Sequence, residues 1–217
     1  MFEFVFPIQA VFLALALDLL FGEPKWLYDR VAHPIVWIGK LISVLEGRLY
    51  RPQNQIFQGA VLVAVTIVLC AIAGAAISWL AEQTGLDWIL TGIVGSVFLA
   101  ARSLYDHVVT VARGLSRDLE AGRAAVSHIV GRDVSELDEA GVARAALESL
   151  AENFSDGVVA PPFWFLLAGL PGLLAYKAAN TLDSMPGHRN ERYLHFGRVA
   201  ARPDDPATWP ASPRTWA

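Results

Sequence analysis

The sequence predicts an all-α, polytopic integral membrane protein with a cytoplasmic helical insert and a broken or re-entrant apolar hairpin. Composition is the first reason. Of 217 residues, 54% are hydrophobic and 18% charged, whereas a soluble domain of ordinary make-up carries about 25% charged residues. The second reason is the length of the uncharged runs. Gly59 to Leu80 holds no charge and only Thr66 and Ser78 as strongly polar residues, enough helix to cross a hydrocarbon core of about 30 Å. A net charge of -4 gives no basic face for nucleic acid. The single cysteine, Cys70, rules out a disulfide framework within one chain.

Taken in order, residues 4–21 form an apolar span interrupted by Asp18. The preceding Met1-Phe2-Glu3-Phe4-Val5-Phe6-Pro7 has no basic leader, so this segment is expected to be retained rather than cleaved. A loop over 22–56 includes an amphipathic stretch from Ile35 to Leu45, and the clearest span follows at 57–81. A third begins at Trp88, runs to Ala101 and is expected to continue helically through Val111. These make up a membrane region over 1–101. Residues 102–157 form the insert. Ser135-Glu136-Leu137-Asp138 resembles a capping box, and Ala140, Ala143, Leu147, Leu150 and Phe154 recur at helical spacing as a buried stripe. Asn153 to Gly157 is expected to end that helix. Residues 158–201 hold an apolar hairpin broken at Pro161-Pro162 and at Gly169-Leu170-Pro171-Gly172, followed by a polar segment. Residues 202–217 form an irregular tail with four prolines.

Lys and Arg number five in 22–56, none in 82–87, six in 102–157 and six from 177 onward. Positive residues mark cytoplasmic loops. The N-terminus is then expected outside, 22–56 and 102–157 inside, and a hairpin that dips and returns keeps the basic C-terminal part inside. The expected location is the inner cell membrane, multi-pass, with a cytoplasm-facing site. Gly74 and Ser78 permit close helix packing, within the chain or in a homo-oligomer.

Several constellations could carry chemistry. Glu148, Glu152 and Asp156 stand at i, i+4 and i+8 with Asn153 beside them, on one helix face. Hard oxygen ligands suit Mg²⁺; the same spacing also suits a solvated face with an Arg144–Glu148 pair. Arg132, between Gly131 and Asp133, reads as part of a turn or as a bidentate anion reader. Lys177, Asn180, Asp183 and Ser184 follow the hairpin on what could be one face, and ionisable groups near membrane depth are functional candidates. A basic membrane anchor is the alternative. They lead into a polar run containing His188, Arg189, Asn190, Glu191 and Arg192. Asp18 would pair with Arg102 or Lys40, or meet substrate. His33 is a structural histidine or a ligand. Walker, Gly-x-Ser-x-Gly, His-Glu-x-x-His and Rossmann patterns are absent from the sequence.

The chain resembles the adenosylcobinamide-phosphate synthase family of cobalamin biosynthesis. The resemblance lies in Leu17-Asp18-Leu19-Leu20-Phe21-Gly22-Glu23-Pro24, His33-Pro34 through Gly39, and Ala101-Arg102-Ser103-Leu104-Tyr105. It continues in Ile129-Val130-Gly131-Arg132-Asp133, Leu137-Asp138, Glu148 through Gly157, Tyr176 through Met185, and Phe196-Gly197. It implies a membrane enzyme joining adenosylcobyric acid to aminopropanol, or its phosphate, through an amide bond with ATP and Mg²⁺. On that resemblance, residue chemistry assigns Glu148, Glu152 and Asp156 to Mg²⁺ and triphosphate. Lys177, Asp183 and Arg132 would be catalytic, with Arg132 and Lys177 neutralising phosphate. Asn180, Ser184, Arg189, Asn190, Asn153 and His33 would bind substrate. The expected partners are the corrinoid, the amine, the bilayer and other membrane proteins of that pathway. Family members continue from a stretch like Asp-Asp-x-x-Asn-Trp-x-Pro-Ala-Arg into further helices. Here Asp204-Asp205-Pro206-Ala207-Thr208-Trp209 leads to Ala217, so a C-terminal truncation is expected. A non-catalytic membrane fragment and a small-molecule transporter are the alternative readings.

Overall fold

The structure, a computed structural model, describes residues 7–49, 54–131 and 133–185. All regular elements among them are helical: α1 (Ile8–Phe21), α2 (Lys25–Tyr28), α3 (Pro34–Leu49), α4 (Gln55–Glu82), α5 (Asp87–Ser96), α6 (Ala101–Arg117), α7 (Leu119–Val126), α8 (Glu139–Phe154) and α9 (Ala160–Ser184). A π-helical turn, Ser155–Val159, joins the last two. Three helical stretches, 55–82, 87–117 and 139–184, are long and apolar enough to cross a membrane. The span expected at 57–81 is α4.

Of the first expected span, residues 8–21 form α1, and residues 4–6 lie outside the described residues. Pro7 stands at the start of α1 and Gly22, at φ +56°, ends it after 14 residues, about 21 Å at 1.5 Å per residue. That is short of the hydrocarbon thickness. The third expected helix is also interrupted. Residues 97–100 separate α5 from α6, and Ala100 at φ -144° has left helical geometry.

Buried residues form two cores. One gathers Ala10, Ala14, Ile42, Leu62, Phe165 and Leu173 from α1, α3, α4 and α9. In lipid the hydrophobic effect does not drive such helices together, so close packing at small residues does. A Cβ on Gly92 of α5 would lie 3.0 Å from the Ala10 carbonyl oxygen, and one on Gly74 of α4 would lie 2.7 Å from the Leu170 carbonyl. Thr66, buried in α4, satisfies its hydroxyl by donating to the Leu62 carbonyl at 2.8 Å. The second core is small: Val111, Val126, Val142, Ala145 and Ala146 tie α6, α7 and α8 together. Asp118 and Asp138 cap α7 and α8 by accepting from the N–H groups of Ala121 and Gly141, each at 2.7 Å.

Three expectations for 135–172 need correction. Asp138 is the cap of α8, three residues beyond the expected Ser135. The buried face of α8 carries Val142, Ala145, Ala146 and Ser149, while Leu147 and Phe154 of the expected stripe are 63% and 49% exposed. Small residues let α8 approach its neighbours, and the larger apolar side chains stay outside. The α-helix ends at Phe154, within the expected Asn153 to Gly157, although the π turn carries the chain onward into α9. Pro161-Pro162 does not break the helical run; these residues occupy the first turn of α9, where the fixed proline φ suits a helix and only the carbonyls of the preceding turn lose a donor.

The second interruption is where the sequence puts it. Ala168 (φ -138°) and Gly169 (φ 63°, ψ -158°) are non-helical, and Pro171 follows. Gly169 adopts a conformation that a side chain would strain. A Cβ on Gly172 would lie 2.6 Å from the Trp164 carbonyl oxygen, although eight helical residues advance about 12 Å. The chain therefore bends sharply between the two halves of α9, and the C-terminal half carries Tyr176 through Ser184.

Candidate functional site

The double proline sets up the polar centre by withholding two donors. In the π turn, the Ala160 N–H donates to the Ser155 carbonyl. The Asp156 carbonyl would next turn to residue 161, and the Gly157 carbonyl to 161 or 162, but these are prolines and carry no N–H. Buried carbonyls freed in this way must find other partners. The Asp156 carbonyl accepts from the Tyr176 hydroxyl at 3.1 Å and from Lys177 Nζ at 3.4 Å. The Gly157 carbonyl accepts from the Ala100 N–H at 3.1 Å.

The C-terminal half of α9 thus closes onto the π turn. Asn180 Nδ2 donates to the Asp156 carboxylate at 3.2 Å. Lys177 is 5% exposed and Tyr176 3%. A buried ammonium needs anionic or carbonyl partners to offset its lost hydration, and Asp156 supplies a carbonyl. Thr181 closes on its own helix, donating to the Lys177 carbonyl at 2.7 Å.

A second polar group abuts this centre at the start of α6. Asp18 is buried and accepts from the Ala101 N–H at 2.8 Å and the Arg102 N–H at 3.4 Å. It is the N-terminal cap of α6, supplied from α1. Its expected pairing with Arg102 is made through the backbone; the Arg102 guanidinium instead meets Asp106 at 3.0 Å and the Leu19 carbonyl at 3.2 Å. Lys177 lies close enough to act electrostatically on both Asp18 and His33.

His33 Nδ1 accepts from the Ile35 N–H at 3.2 Å, so the neutral ring carries its proton on Nε2. Nε2 is buried and makes no hydrogen bond of full geometry among the described residues, although the Val97 carbonyl is near enough to act on the ring. The ring lies 4.7 Å from that of Tyr28. Burial pushes the His33 pKa below its ordinary value; Glu23 and the Val97 carbonyl oppose the shift, while Lys177 adds to it.

The remaining predicted residues are less gathered. Glu148 and Glu152 are exposed on α8, and Asp156 is half-buried. The i+4 rule that would align Asp156 with the two glutamates fails across a π turn. Among the described residues no three His, Cys, Asp or Glu side chains form a cluster able to hold a metal. Asn153 donates to the Ser149 carbonyl at 2.8 Å and hydroxyl at 3.1 Å. Ser184 is exposed and donates to the Asn180 carbonyl at 3.0 Å; Asp183 is half-buried on the same helix. Arg132, Arg189 and Asn190 lie outside the described residues.

Sequence reasoning missed Tyr176 as a site residue, although it adjoins Lys177. It also missed a cleft of about 500 Å³ beside the π turn, walled in part by Ser103, His107, His128, Asn153 and Gly157. No local signal announces that cleft, because its two histidines come from different helical segments.

The CobD/Cbib protein family matches residues 11–216. A Cobalamin biosynthesis protein CobD from Sinorhizobium sp is 52% identical over 206 residues, covering 92% of this chain and 64% of that relative. One from Rhizobium meliloti (strain 1021) is 50% identical over 206 residues, 92% of this chain and 63% of the relative. One from Rhodobacter capsulatus is 50% identical over 200 residues, 88% and 62% respectively. The chain thus spans somewhat under two thirds of the length of these curated relatives. No solved structure matches it. With the match running through α1, the π turn and the polar segment of α9, the chain belongs to the CobD/Cbib family.

Proposed function

We propose that this chain acts in cobalamin biosynthesis as an amide-forming ligase, joining adenosylcobyric acid to aminopropanol or its phosphate with ATP and Mg²⁺. The observation that carries the reading is the convergence of Lys177, Tyr176 and Asn180 on Asp156. A buried cation beside an oriented carboxylate suits the handling of anionic groups. Family membership and the names of the curated relatives support the pathway.

The donor set suits Mg²⁺-triphosphate in its chemistry. Glu148, Glu152 and Asp156 offer hard carboxylate oxygens, and Mg²⁺ commonly takes one or two of these together with phosphate oxygens rather than a full protein cage. In the proposal one or two of these, together with triphosphate oxygens, hold the metal, while Lys177 and Arg132 neutralise phosphate charge. ATP supplies the phosphoryl group that turns a carboxylate, a poor acyl donor, into a good one. Asn180 and Asp183 orient the amine or the corrin carboxylate, with Arg189, Asn190, Ser184, Asn153 and His33 completing the substrate contacts. The membrane-spanning helices would hold the site at the cytoplasmic face of the inner membrane.

Complementation of a synthase-deficient bacterium tests this. The wild-type chain should restore corrinoid-dependent growth, and Lys177→Ala, Asp156→Ala, Glu148→Ala and Asp183→Ala should each abolish or strongly reduce it. Restoration by all four variants would refute the site. No restoration by an abundantly produced, membrane-inserted wild-type chain would refute the ligase reading.

A further inference from the structure

We propose that the cleft beside the π turn is an organophosphate site: it holds the phosphate of an ester whose body lies on the cleft's apolar wall. The proposal rests on the ligase reading, which involves two such esters, ATP and aminopropanol phosphate. Its volume, about 500 Å³, falls within the roughly 300–1,000 Å³ of pockets that enclose small organic ligands.

The lining sets the chemical class. Leu104, Ile129 and Val130 give an apolar wall, and the polar lining comprises Ser103, His107, His128, Ser149 and Asn153, with no carboxylate among the described residues. Ser149 already donates to the Ile129 carbonyl at 2.7 Å and Asn153 to Ser149. Those two bonds fix the wall and leave Ser103 and the two imidazoles to face a ligand. Neither the His107 nor the His128 side chain has a hydrogen-bond partner among the described residues. Two imidazoles and a hydroxyl facing a cleft without acids favour a phosphate ester and disfavour a free ammonium.

Position ties the cleft to the site already described. Gly157 lines it, and the Gly157 carbonyl bonds to Ala100, another lining residue, at 3.1 Å. The next residue back, Asp156, meets Tyr176, Lys177 and Asn180. An ester seated in the cleft is therefore one residue of backbone away from the Asp156 centre.

The test titrates the full chain, in lipid nanodiscs, with ATP and with aminopropanol phosphate, using inorganic phosphate as a control. Leu104→Trp fills the cleft, and the double variant His107→Gln/His128→Gln removes both imidazoles while leaving the helices uncrowded. We expect binding of at least one ester to weaken about tenfold or more in both variants, with Cys70 labelling on heating unchanged. The ester that is lost identifies the occupant. Unchanged binding of both esters in the double variant would overturn the cleft assignment and leave the ligase reading standing. Failure of the wild-type chain to bind either ester would overturn both.

Discussion

A close helix approach in the membrane core can be tested without any assumption about activity. At Gly74, a Cβ would stand 2.7 Å from the Leu170 carbonyl carbon and oxygen and from the Pro171 nitrogen. Carbon contacts settle near 3.5–4.0 Å, so Gly74→Ala requires α4 and the bend of α9 to separate by roughly 0.8–1.3 Å. All three obstructing atoms are backbone, at a turn held by Gly169 and Pro171, and no side-chain rotation relieves them. Overpacking of this kind costs about 1–3 kcal/mol, and the backbone contact argues for the upper half. At roughly 2–4 °C per kcal/mol for a chain of this size, we expect a loss of about 4–12 °C. Gly47, in the interior of α3, is the control: a Cβ there meets nothing within 4 Å, and Gly47→Ala should gain about 0.5–1 kcal/mol from helix propensity. Cys70 gives the assay. It is the sole cysteine, it is buried, and it sits one turn from Gly74. Its labelling by a thiol-reactive dye on heating reports opening at the right place. Equal labelling temperatures for wild type and Gly74→Ala would refute the packing argument.

Four further outcomes follow. Asp18→Ala leaves the Ala101 and Arg102 amides uncapped and should cost about 1–2 kcal/mol, read in the same thermal assay; a neutral result would refute the cap. Asp138→Ala should cost about 1 kcal/mol and show first as faster hydrogen exchange at the Gly141 amide, whereas unchanged exchange there would count against the cap. His33 has a folded-state pKa below its unfolded value, so its neutral form favours the fold. Its stabilising share is complete above the ordinary histidine range and is lost as pH falls through the folded value. His33→Gln should flatten that acid-side decline, and an identical pH–stability profile would refute the assignment. Pro161→Ala restores an N–H able to bond the Asp156 carbonyl; stability should hold or rise while complementation falls, and full complementation would remove the carbonyl from the mechanism.

Much of the span pattern is legible because an uncharged run has few other uses. Gly59 to Leu80 could hardly be anything but α4. The face of α8 is not legible by the same logic. Larger apolar residues usually mark the buried side, but here Leu147 and Phe154 face outward while the small Val142, Ala145 and Ala146 pack. The candidate site divides in a similar way. Asp156, Lys177 and Asn180 stand out as polar residues flanking an apolar hairpin, and the fold joins them. His107 and His128 reach one cleft from separate segments, and only the tertiary structure brings them together. Asp18 looked like a charge in search of a cation; its partners are backbone amides, which no side-chain inventory reveals.

The two prolines at 161 and 162 show how an apparent helix breaker assembles a site. A helix normally consumes its own carbonyls, which leaves none to bind an ammonium or a hydroxyl from a neighbouring element. Here the π turn shifts the Ala160 donor back to Ser155, and the prolines supply nothing to Asp156 or Gly157. Two consecutive carbonyls are released. One receives Tyr176 and Lys177, and the other receives Ala100 at the mouth of the cleft. The sharp bend at Ala168–Gly169 then brings the second half of α9 back to deliver those donors. Each irregularity alone would weaken a membrane helix. Together they exchange intrahelical bonds for bonds between elements, fixing a buried lysine beside a carboxylate and beside the wall of a separate cleft.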